Sequence, residues 1–234
     1  MTDSDPVSLK VDDFDVDGAV REAFERMPRH TRSGFLGRTV AAGAAALGAV
    51  AAWPALASAK PYPSDITILN FALSLEYLQA SFYTEAEQIG ALSGALAHQA
   101  HVVGIHERTH VKVFKQLLGP AAIKEPKFDF HGVTGNPDAF RSTAVAFEDL
   151  ATAAYKEQAP LIRSKSYLAG ALAIHSVEAR HAAWIRRLAG FLPAAHAFDD
   201  PLSDAKVVEI VNSTHFVTLT NPQTIMDAKP RFTG

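Results

Sequence analysis

The chain has 234 residues, 48% of them hydrophobic and 20% charged, enough to bury one sizeable core with little left for a second. Its formal charge is only −3 at pH 7, and no Lys/Arg stripe lies beyond the N-terminal segment, which argues against nucleic acid as a partner. Cysteine is absent, which excludes disulfides, thiolate zinc sites, iron–sulfur clusters and Cys nucleophiles and leaves His, Asp and Glu to bind any metal.

The first segment has the organisation of an export signal. Five arginines lie between Arg21 and Arg38, and an unbroken small and apolar run follows from Thr39 to Ala52, ending near Trp53-Pro54. Ala57-Ser58-Ala59 then supplies the small-x-small pattern of a signal-peptidase site, which places the mature start at Lys60 and the protein in the periplasm or outside the cell. Thr31-Arg32-Ser33-Gly34-Phe35-Leu36 resembles a twin-arginine translocation signal in which Ser33 stands where the second Arg would be, so the twin-arginine and general secretory routes both stay open. Two rival readings remain: an uncleaved membrane anchor, since Thr39 to Leu56 is just long enough to span, and a buried Ala-rich helix. The acidic residues Asp12, Asp13, Asp15 and Asp17 are unusual ahead of such a signal, and Met27 would make a more ordinary start. If the signal is cleaved, the mature chain has no membrane partner.

From Ser64 to about Gln88 the residues Ile68, Phe71, Ala72, Leu75, Leu78 and Phe82 recur three and four apart with no internal Gly or Pro, which predicts a first helix. After Gly90 a second periodic run from about Leu92 to Leu118 stops at Gly119-Pro120. Residues 120–137 are rich in Pro, Gly, Asp and Asn and read as a connection. Asn136-Pro137-Asp138 opens a third helix that runs to Gln158, and Ser164 or Ser166 opens a fourth that ends at Gly190. The short links make antiparallel hairpins. The long link, roughly 18 extended residues, reaches some 60 Å, against about 40 Å for a 27-residue helix, so it can cross the whole bundle. The expected fold is all-α: a four-helix bundle of two antiparallel hairpins joined by a long crossover. The expected organisation is an N-terminal extension and export signal at 1–59, the bundle at 60–190, and an irregular tail at 191–234 packed across it, with a short amphipathic stretch from Asp204 to Val211.

The first helix carries Glu76, the second Glu107 and His110 as an ExxH pair, the third Glu148, and the fourth Glu178 and His181 as a second ExxH pair. Residues three apart on a helix share a face, so two metal ions can share carboxylates from the two ExxH helices while each takes one His and one further Glu. Each Glu lies among apolar residues of its own helix, and unpaired buried charge is costly enough to demand compensation. Glu107 follows Glu76 by 31 residues and Glu178 follows Glu148 by 30, a matched spacing that marks the hairpins as a pseudo-repeat. A single ExxH arises readily on a solvated helix face; two, each preceded at nearly equal distance by an inward Glu, do not.

Asn70-Phe71-Ala72-Leu73-Ser74-Leu75-Glu76-Tyr77-Leu78, Phe147-Glu148-Asp149-Leu150 and Val177-Glu178-Ala179-Arg180-His181-Ala182-Ala183 resemble a bacterial ferritin-like family related to plant desiccation-related proteins. The similarity extends through Phe128-Asp129-Phe130, Ala159-Pro160-Leu161-Ile162 and Pro201-Leu202, covering residues 63 to 216. It implies a ferritin-like domain, in a family with no settled single activity.

Tyr83 lies seven residues after Glu76, and Tyr155 seven after Glu148. Either is a core aromatic with a bonded hydroxyl, a hydrogen-bond donor to a ligand carboxylate, or an electron relay. His106 and His175 flank the ligand faces as partners of the ligands, alternative ligands or locally satisfied residues. His98 and His101 point away, and Asn70 is expected to bond locally.

Three functions follow. The centre holds two iron ions, or manganese in their place, and uses O2 or peroxide to oxidise Fe(II) or remove peroxide; or it stores metal without turnover; or the bundle is a structural stress protein in which metal stabilises the fold. Ligand type does not choose iron over manganese. Whether the chain is a homo-oligomer stays open.

Overall fold

The computed structural model describes residues 63–220. The segment expected to be an export signal, its small-x-small stretch and the final Pro222 and Pro230 lie outside them. Five α-helices and no strand occur among the described residues: α1 (Pro63–Ile89), α2 (Gly94–Leu118), α3 (Pro137–Gln158), α4 (Lys165–Leu188) and α5 (Asp204–Ser213). None is long and apolar enough to cross a membrane.

The ends of these helices follow local chemistry. Gly119 closes α2 at φ 52°, a conformation that costs any residue with a Cβ, and its N–H returns to the Lys115 carbonyl. The Asn136 side chain accepts from the Asp138 and Ala139 amides, with Pro137 at the first helical position. Ser164 caps α4 in the same way through the Tyr167 amide.

α1 packs chiefly along α2, and α3 along α4; the hairpins then meet through α1 with α3 and α2 with α4. Gly104 brings α2 close to α1, since a Cβ there would stand 3.2 Å from the Tyr83 Cβ. The crossover from α2 to α3 is laced along α1. Asn70 donates to the Ala121 carbonyl and accepts from the Ile123 amide, both at 2.9 Å, so its bonds are long-range rather than local. Further along, Tyr77 donates to the Ile123 carbonyl, Ser81 to Glu125, and Thr134 to Glu85.

One end of the core is aromatic. Phe82 stacks on Phe140 with ring centres 4.8 Å apart and meets the edges of Phe130 and Phe147. The C-terminal segment packs along α3 and reaches this end: Leu202 donates to the Ala153 carbonyl, Asp129 to the carbonyl of Phe216, which meets Phe130 and Phe147, and α5 buries Val207, Val208 and Val211. The aromatic end leaves the middle of the bundle, where Glu76 lies halfway along α1, for polar side chains.

Candidate metal centre

Four glutamates, Glu76, Glu107, Glu148 and Glu178, are each fully buried, one on each of α1 to α4. His110 and His181, one turn beyond Glu107 and Glu178, join them. The ligand atoms fall into two overlapping groups, Glu76, Glu107, His110 and Glu178 in one and Glu107, Glu148, Glu178 and His181 in the other, each within 4.8 Å of one another. Glu107 and Glu178 are common to both, so the ExxH glutamates occupy the shared positions.

His110 Nδ1 lies 3.1 Å from Glu76, 3.3 Å from Glu178 and 3.6 Å from Glu107. His181 Nδ1 lies 3.0 Å from Glu107, 3.5 Å from Glu148 and 3.9 Å from Glu178. The tyrosines cross between hairpins: Tyr83 of α1 donates to Glu148 of α3 at 2.5 Å, and Tyr155 of α3 donates to Glu76 of α1. Both hydroxyls are bonded, each to the other hairpin's carboxylate.

Several ligand atoms nevertheless lack a hydrogen bond. Both Glu107 oxygens, Glu148 Oε2, Glu178 Oε1 and His181 Nδ1 are buried with none. Buried polar atoms are ordinarily satisfied, so a convergent set of unsatisfied ones is where a cation belongs. The dimensions are close to those of a bound ion, whose ligand atoms, about 2.0–2.2 Å away, stand at most roughly 4.4 Å apart, so the 4.8 Å groups would need to draw in only slightly.

Charge leads to the same place. Four carboxylates face two imidazoles, so even doubly protonated histidines leave a deficit that protons or metal ions must fill. Burial lifts Glu76 to about 8 against the pull of His110, and burial raises Glu148 as well. Burial also works to raise Glu178, but His110 and His181 outweigh it and hold that carboxyl down to about 2. Burial opposes charge on His181, yet Glu107, Glu148 and Glu178 carry it up to about 12.

A model of the ferritin-like domain family matches residues 64–190, more than half of the chain and all four helices that carry the cluster. The chain belongs to the ferritin-like domain family. A search of the curated proteins finds no match. In this ferritin-like domain the Glu/His cluster could therefore hold metal in the middle of the four-helix bundle, as the fold's carboxylate centres do.

Around the ferritin-like centre the flanking residues divide. His106 Nδ1 lies 2.9 Å from His181 Nε2, and the two rings stack with centres 5.1 Å apart. His175 belongs to neither ligand group; its buried Nε2 has no hydrogen bond. His98 packs edge-on against Trp184, and His101 lies 3.7 Å from Glu87. Gln79, which the sequence reading passed over, donates to Glu178 Oε2 at 3.4 Å. Its position three after Glu76 was the available signal, since it shares that ligand face.

Proposed function

We propose that the chain is an exported protein whose centre binds two iron or manganese ions and turns over O2 or peroxide, by oxidising Fe(II) or by consuming peroxide. The observation that carries this reading is the convergence of buried, unsatisfied carboxylate and imidazole atoms from four helices on one short-range cluster. Glu107 and Glu178 would bridge the pair, Glu76 with His110 would complete one position, and Glu148 with His181 the other. Oxygen-rich ligands with one imidazole per ion suit redox-active iron or manganese, which supplies the electrons that O2 or peroxide takes up. Tyr83 and Tyr155 hold the terminal carboxylates in place, and the surrounding apolar residues keep bulk water out. The basic and apolar N-terminal segments support export, with the mature chain beginning at Lys60, and the resemblance to desiccation-related proteins supports a role in stress defence.

The test is anaerobic Fe(II) loading of the purified chain, metal counting, and then O2 or peroxide addition. Uptake of two ions per chain and consumption above the metal-free rate are expected. Binding below roughly one ion per two chains would sink the metal reading. Stoichiometric binding with background consumption would leave storage or a structural role. Amino-terminal sequencing of protein recovered outside the cytoplasm checks the export reading.

A further inference from the structure

The two halves of the centre are related by the repeat between hairpins. Residues 71 or 72 positions apart correspond: Glu76 with Glu148, Tyr83 with Tyr155, Glu107 with Glu178 and His110 with His181. The residues just outside these ligands do not correspond. Where His106 backs His181, the residue at the equivalent place behind His110 is Val177. Gln79 supports Glu178, whereas its counterpart is Ala151 and both Glu107 oxygens are without a hydrogen bond. Gln99 is fully buried on the Tyr83 side, where its counterpart on the Tyr155 side is Gly170.

Beside Tyr155 lies a small apolar void of about 10 Å³, lined among others by Ala72, Leu75, Ala154 and Ala171, with room for about one water-sized molecule. The histidines differ too: the His181 side chain is 3% exposed and the His110 side chain 13%. Among the described residues, His181 alone of the two has a histidine stacked over its outer edge at hydrogen-bonding distance. With a metal ion on His181 Nδ1, which faces the carboxylates, Nε2 would carry the proton and donate it to His106 Nδ1, which would fix the ring's tautomer and orientation.

From these differences we infer that the two metal positions are inequivalent: the Glu148/His181 position is a retained, shielded site held by His106, and the Glu76/His110 position is the exchangeable one. This inference rests on the two-metal reading above and assigns roles within it. A metal ion leaving or entering meets solvent first at His110. The water-sized void adjoins Tyr155, the residue that donates to Glu76. His106 acts here as a positioning residue, since it touches a ligand and not the ion.

The test uses the full chain loaded with Co(II), then challenged with excess chelator while bound metal is counted over time by mass spectrometry. Two phases are expected, one ion leaving at least about tenfold faster than the other, with distinct Co(II) ligand-field spectra before and after the fast phase. His110→Ala is expected to lose the fast ion and keep the slow one. His106→Ala should speed the slow phase by about 10–100-fold, while His106→Gln, which still offers an acceptor to His181 Nε2–H, should keep most of the wild-type rate. Single-phase loss of both ions from the wild-type chain overturns the inference without touching the two-metal reading. Absence of bound Co(II) and Fe(II) alike overturns both. The wild-type measurement decides the question even if a variant does not fold.

Discussion

Each inward glutamate is tolerable only because something compensates it, and the compensation differs from residue to residue. In the metal-free chain Glu76 at about 8 and His181 at about 12 both hold protons at pH 7, so metal entry must displace them. Affinity is then expected to rise with pH between 6 and 8, with protons released into the buffer as metal binds. Calorimetric titration in two buffers of different ionisation enthalpy checks this; a heat independent of buffer would contradict it. The sign for stability is opposite. A folded-state value above the unfolded one means stability present at low pH and lost as pH rises, over 4.5 to about 8 for Glu76 and 6.5 to about 12 for His181. Thermal melts of metal-free protein are therefore expected to move down between pH 5.5 and 8. Replacing both shared ligands, in Glu107→Ala with Glu178→Ala, should abolish metal uptake while far-UV circular dichroism stays helical. The six side chains that cluster in the bundle were legible because spacing placed them on apolar faces. The crosswise tyrosine pairing was not, because seven-residue spacing along one helix says nothing of which neighbouring helix the hydroxyl will meet.

At the scale of elements, helix limits were readable to within a residue or two, since period and terminator coincide at Gly119-Pro120, Asn136-Pro137 and Ser164. Contacts that fix one element against another were less so. Asp65, in the first turn of α1, is fully buried and accepts from the Arg163 and Ser164 amides at 2.9 and 3.0 Å, nearly a hundred residues away. Asn70, expected to bond nearby, instead clamps the start of the crossover. No periodic signal marks a polar residue whose partner is a distant backbone amide. Asp65→Ala leaves two amides without their acceptor and is expected to cost ~1–3 kcal/mol in urea unfolding, with metal stoichiometry unchanged. Gly119→Ala should cost ~1–2 kcal/mol, because the residue's positive φ penalises a Cβ.

For the whole molecule, the bundle and its centre are separable in energy. The aromatic end built on Phe82, Phe130, Phe140 and Phe147 owes nothing to metal, so a chelator-treated chain is expected to stay folded at 25 °C. Binding still adds stability by mass action. At free metal about a thousandfold above Kd the gain is about 4 kcal/mol, or roughly 10 °C in Tm, measurable by scanning fluorimetry with and without chelator. The pseudo-repeat was visible in the matched glutamate spacing; the unequal surroundings of its halves were not, because they depend on which residues stand behind the ligands in space.

The crossed tyrosines carry one more consequence. Neither hairpin contains a finished half of the centre: each lacks a shared glutamate and the tyrosine that steadies its own terminal glutamate, and both come from the other. A chain nicked within the crossover, between Lys124 and Lys127, should therefore behave as two complementary fragments that stay associated and rebuild the cluster on mixing, with metal capture reporting reassembly.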